Sequence, residues 1–142
     1  MDNAVSAALR LPRTAAIALL VGATLSAGLH AQTLKTGEQV YKETCSVCHA
    51  TGVEKAPKFG DKAMWAPLIK EGQHVLTAHA WVGVRSMPPK GGNASLSLEE
   101  FSRAVAFMAR AAGGTWKDPD AAMHARIRTE EKLRIESLNT KK

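Results

Sequence analysis

Cys45-Ser46-Val47-Cys48-His49 is the segment whose residue types and spacing point to chemistry. Two thiols two residues apart stand on one helical turn, where each can add across one vinyl group of a haem to form a thioether. The adjacent His49 is then held where its imidazole can bind the iron, the arrangement of c-type haem attachment. The motif uses both cysteines of the chain, so a framework of several disulfides is excluded. Joined to each other, they would close too small a loop to constrain the unfolded chain much. Two other uses of the pair stay open. A redox dithiol expects a βαβ setting, and no segment alternates with a strand period. A Cys2His2 zinc site would recruit His74 and His79. However, 25 residues lie between Cys48 and His74, beyond the usual finger spacing, and His49 would have no task.

A sixth iron ligand would come from downstream, on a segment able to bend back over the haem. Met87, followed by Pro88 and Pro89, fits because the prolines stop the chain re-entering a helix. A thioether suits iron in both oxidation states without proton uptake, and His/Met ligation raises the potential. The alternative for Met87 is a core-filling methionine. Met64 follows the attachment loop too closely, Met108 lies on an apolar helix stripe, and Met123 is in the tail. His74 or His79 would instead give a bis-His haem of lower potential.

The positioning elements read as helices. Thr36 with Gln39 forms a capping box that opens a helix toward Cys45. Residues 50–62 read as loop. A short helix is expected from near Asp61, interrupted at Pro67, and another from Gln73 to Val82 with Gly83 at its C-terminal cap. Residues 85–93 carry two prolines and two glycines and cannot be regular. Ser97 and Glu100 form a second capping box. Leu98, Phe101, Val105, Met108 and Ala112 then recur on one face, and Gly113-Gly114 ends the run. The fold class is therefore all-α.

Domain organisation follows from the ends. Residues 1–31 combine Arg10 and Arg13, a short apolar run over residues 15–21 and a small-residue exit. This is a secretory signal peptide with cleavage placed after Ala31, and it implies a periplasmic protein; membrane contact arises only if the leader stays uncleaved. Residues 32–116 form one domain of about 85 residues, marginal unless something staples it, and covalent haem supplies that staple. Residues 117–142 are a charged tail, read as a solvated, partly frayed helix or as a segment that docks on a partner. Residues 32–142 carry 17 Lys+Arg against 12 Asp+Glu. These signs are interspersed, unlike the stripe of a nucleic-acid binder, and better suit steering toward an acidic protein.

Taken together, these residues resemble a class I c-type cytochrome, more narrowly the cytochrome c5 type. The resemblance runs from about Gly37 to Ala112. It rests on Gly37 and Tyr41, on Cys45 to Gly52, on Ala56 to Lys62, on Trp65-Ala66-Pro67 and on Met87-Pro88-Pro89-Lys90-Gly91-Gly92-Asn93. It implies a small fold with helices wrapped around one covalent haem c. It also implies a first helix crossing the last with Gly37 close to Phe101 and Val105, and a Pro57 carbonyl bonded to His49 Nδ1. Trp65 either donates its indole N–H to a haem propionate or simply packs. The tail, His74 and His79 have no place in the pattern.

The function expected is outer-sphere transfer of single electrons between respiratory redox partners, such as a terminal oxidase or another cytochrome domain. It is not enzymatic catalysis. Lys58, Lys62, Arg85 and Lys90 lie in loops near the expected haem edge and either steer acidic partners or are simply solvated. An open iron site would instead bind gases or act as a peroxidase, and a zinc-loaded chain would be an interaction module.

Overall fold

The computed structural model describes residues 33–141; the leader expected over residues 1–31 lies outside them. Thr36 opens the first helix. Its hydroxyl accepts the Gln39 N–H at 3.2 Å, and the Gln39 side chain accepts the Thr36 N–H at 2.9 Å. Two donors orphaned at the helix start are thus satisfied reciprocally. From there α1 (Gly37–Val40) runs through a π turn (Tyr41–Cys45) into α2 (Ser46–His49). The Ser46 N–H reaches back to the Tyr41 carbonyl. That wider turn inserts a residue and changes the phase at which Cys45, Cys48 and His49 leave the helix.

Asp61 caps α3 (Lys62–Glu71), accepting the Met64 N–H at 3.0 Å. Pro67 lies inside this helix and does not interrupt it, contrary to the sequence expectation. The proline forfeits a single backbone bond, and the cap at Asp61 and the buried Trp65 hold the turns before it. Gly72, at φ 98°, separates α3 from α4 (Gln73–Val82), and Gly83, at φ 101°, ends α4. Then come α5 (Leu98–Ala111), opened by the Ser97–Glu100 capping box, and α6 (Ala121–Asn139). Among the described residues there is no strand beyond one isolated bridge between Val84 and Met87, so the class is all-α as expected.

The apolar stripe of α5 is the spine of the core. Leu98, Phe101, Val105, Met108 and Ala112 are all buried, and most join one cluster with Val40, Cys45 and Trp65. Helix α1 crosses α5 at Gly37, and the nearest α5 atoms there belong to Arg103, between Phe101 and Val105, and to Phe107. A Cβ on Gly37 would lie 2.3 Å from the Arg103 carbonyl oxygen and 3.0 Å from Phe107 Cβ. Phe101 and Val105 turn into the core, so close backbone approach falls on the neighbouring face. There the Arg103 guanidinium also donates to the Lys35 carbonyl at 3.2 Å. Gly37→Ala is expected to destabilise the holoprotein by about 3 kcal/mol, the upper end of ordinary overpacking. A shifted urea midpoint at unchanged slope would register it, and an unshifted midpoint would contradict it.

The tail docks on its own domain. Ile127 of α6 is 0% exposed and packs with Ala78 of α4 and Leu98 of α5, alongside Met123 and Trp81. This second small core replaces the solvated, fraying helix expected from the charge pattern. Polar contacts surround it. Arg126 Nη2 lies 3.0 Å from His74 Nδ1, His79 Nε2 lies 3.4 Å from Glu130, and His124 Nε2 lies 3.0 Å from the Ser102 hydroxyl. His74 and His79 therefore join α4 to α6.

Candidate functional site

The attachment turn presents its sulfurs unequally. Both cysteines are reduced; Cys45 is buried and Cys48 is exposed. Burial pushes the Cys45 thiol up to about 11, so at neutral pH it is a neutral thiol in an apolar niche. Next to Cys48, Val47 is 73% exposed, leaving apolar surface beside the free thiol.

His49 is only 7% exposed, and its Nδ1 stands 2.8 Å from the Pro57 carbonyl oxygen. A carbonyl can only accept, so Nδ1 carries a proton, and in the neutral imidazole the lone pair that a metal needs is then on Nε2. The loop delivers Pro57 by a tight course: Gly52, Glu54 and Lys55 take positive φ values of 83°, 49° and 63°. Its return is fastened where the Phe59 N–H meets the His49 carbonyl at 2.7 Å. The motif and the loop after it thus form one unit.

Met87 is half-buried and packs against the cluster that contains Cys45. Its backbone is clamped to Val84 by a reciprocal pair of bonds, Val84 N–H to Met87 carbonyl at 3.1 Å and Met87 N–H to Val84 carbonyl at 2.9 Å. The following turn approaches the attachment helix. Asn93 Nδ2 donates to the Thr44 hydroxyl at 3.2 Å. A Cβ on Gly91 would lie 3.5 Å from Thr44 Cγ2 and 3.9 Å from Met87 Cε, so the Met87 methyl and the turn before Cys45 meet at this glycine. The other described methionines lie elsewhere. Met108 is core, Met64 is an exposed residue of α3, and Met123 packs in the second core under α6.

Some expectations need correction. Trp65 donates its indole N–H to the Lys58 carbonyl at 2.8 Å and is 2% exposed. It is a packing residue that fastens the loop, since its single donor is already engaged. Lys90 is not a free steering cation: its ammonium donates to the Ala94 carbonyl at 3.1 Å and sits 4.6 Å above the Trp81 ring centroid. Lys58, Lys62 and Arg85 remain exposed. Among the described residues no group of three or more His, Cys, Asp or Glu side chains is placed to hold a metal ion. His74 and His79 meet α6 instead of the cysteines, which removes the Cys2His2 zinc arrangement. Trp81 and Glu131 carry no pairing signal in the sequence, because their contact joins residues fifty positions apart.

Unlinked paired sulfurs, an imidazole with a free lone pair and a thioether turn tied to the same helix fit a covalently held haem. This defines a small helical haem carrier. The family model described as cytochrome C oxidase, cbb3-type, subunit III, matches residues 32–108. Cytochrome c-555 of Chlorobaculum tepidum is 42% identical over 64% of this chain and 90% of its own length. Cytochrome c5 of Azotobacter vinelandii is 38% identical over 52% of this chain and 92% of its own. Among solved structures, a cytochrome c in an electron transfer complex with nitrite reductase aligns with TM-score 0.53 and 44% identity, over 56% of this chain and 99% of that one. The chain belongs to the class I monohaem c-type cytochromes, with haem c as its covalent cofactor and electron transfer, not enzymatic catalysis, as its role. The family match ends before α6.

Proposed function

We propose that this cytochrome is exported to the periplasm by its first 31 residues and carries single electrons between respiratory redox proteins. Cys45 and Cys48 would hold the haem as thioethers, and His49 and Met87 would ligate its iron. When bound, the haem supplies a one-electron ferric/ferrous couple. The chain's own residues do the rest. Pro57 fixes the His49 ring with Nδ1 as the donor, which turns the other ring nitrogen, Nε2, toward ligation, and the Val84 clamp and the Asn93–Thr44 bond hold the Met87 turn. With His49 and Met87 both ligating, the iron would have no site left for a substrate. The observation that carries this reading is the His49–Pro57 bond at 2.8 Å, which sets the ligating tautomer.

Redox protein partners are supported by the relative captured with nitrite reductase. Exposed Lys58, Lys62 and Arg85 would favour an acidic docking surface. No described helix is long and apolar enough to cross a membrane. Expression in a host that matures c-type haem tests the axial reading. The ferric protein should be low-spin, with a sulfur–iron charge-transfer band. High-spin ferric iron would instead point to an open site of the gas-binding or peroxidase kind.

A further inference from the structure

Side chains from three separate elements converge on the back of the Met87 turn. Trp81, in the last turn of α4, donates its indole N–H to Glu131 Oε1 of α6 at 3.0 Å. Its ring packs edge-on against Phe101 of α5, with centroids 5.3 Å apart. On the same indole rides the ammonium of Lys90, 4.6 Å from the ring centroid. Lys90 takes φ 55°, in the left-handed region, which a non-glycine residue keeps only where its surroundings offset the strain. The ring and the Ala94 carbonyl at 3.1 Å provide that offset.

The end of α4 and the turn are pressed together. A Cβ on Gly83 would lie 3.1 Å from the Pro89 nitrogen and 3.2 Å from the Met87 carbonyl oxygen. Met87 is thus fastened on its N-terminal side through Val84 and on its C-terminal side through Lys90. Both fastenings lead to α4, whose outer face is gripped by α6 through Ile127. The carboxylate of Glu131 fixes the plane of the indole and polarises it, making the face under Lys90 a better cation partner.

We propose that Trp81, Glu131 and Lys90 are positioning residues through which helix α6 controls how firmly Met87 stays on the iron. Glu131 lies outside the residues 32–108 that match the family model, whereas Trp81 and Lys90 lie within them. The inference rests on the reading of Met87 as the axial ligand.

Imidazole, which competes with methionine for ferric iron, measures the fraction of molecules with the turn open. In the full-length ferric holoprotein, Trp81→Phe and Glu131→Ala should each bind imidazole about tenfold more tightly than the parent, as expected for losing a charge-assisted hydrogen bond. Glu131→Gln keeps an acceptor and should stay within about threefold of the parent. The measurements are made where all variants have the parent's far-ultraviolet helicity. A merely structural role would lower the unfolding temperature and leave imidazole affinity unchanged there. Parent-like affinity in Trp81→Phe and Glu131→Ala, with the sulfur–iron band present in the parent, overturns the inference alone. A parent that lacks the band and binds imidazole as tightly as Met87→Ala overturns the axial reading and this inference with it.

Discussion

Met87→Ala should lower the midpoint potential by on the order of 0.2 V, a fraction of the roughly 0.8 V that axial ligation governs among haem proteins. The haem should stay attached. A thioether is a soft, neutral donor that favours the ferrous state, and His/Met ligation lies on the high side of the scale for that reason. Met87 sits half-buried against the cluster containing Cys45, so its loss removes the donor without touching the sulfurs of the attachment turn. Potentiometric titration and the ferric spectrum measure the effect together: the potential falls and the sulfur–iron band vanishes. Retention of both would move the axial role away from Met87. The other described methionines offer poor replacements, because Met108 and Met123 pack in the two cores and Met64 lies exposed on α3.

A chain carrying Cys45→Ser and Cys48→Ser should lose essentially all covalent haem, where the parent retains it through acid-acetone extraction. Intact mass would show one haem added to the parent polypeptide and none to the double variant. The serine hydroxyl does not form the stable thioether, so nothing else in the motif can replace the bond. The sulfurs also differ in setting. Cys45 is a buried member of the main core, while Cys48 is exposed beside Val47. Either single variant should keep haem through its remaining thioether, and Cys45→Ser should be the less stable because it places a hydroxyl in the core. A haem-bearing double variant would show that the motif is not the attachment point.

Signals carried by near neighbours in the chain are legible in the amino-acid order alone. The capping boxes at Thr36 and Ser97 each involve residues three apart, and local backbone geometry alone forms them. The stripe on α5 marks the spine of the core for the same reason, since helical periodicity fixes which residues share a face. The contact between His49 and Pro57 follows from the family resemblance and is present at 2.8 Å. By contrast, Pro67 looks like a helix breaker because its lost hydrogen bond is visible in the sequence. The Asp61 cap that helps to offset it is as local as the others, but the burial of Trp65 depends on residues brought to it by the fold.

What the amino-acid order determined by itself was covalent and local: paired thiols and an imidazole on one turn, helix starts, and an apolar face. Tertiary structure alone decided which distant side chains became partners. Lys90, a surface cation by type, sits over an aromatic ring because folding brought Trp81 beneath it. The tail, polar by composition, became a docked helix because Ile127 found Ala78 and Leu98. Such pairings depend on how elements cross, and a sum of weak contacts between residues dozens of positions apart leaves no periodic trace along the chain.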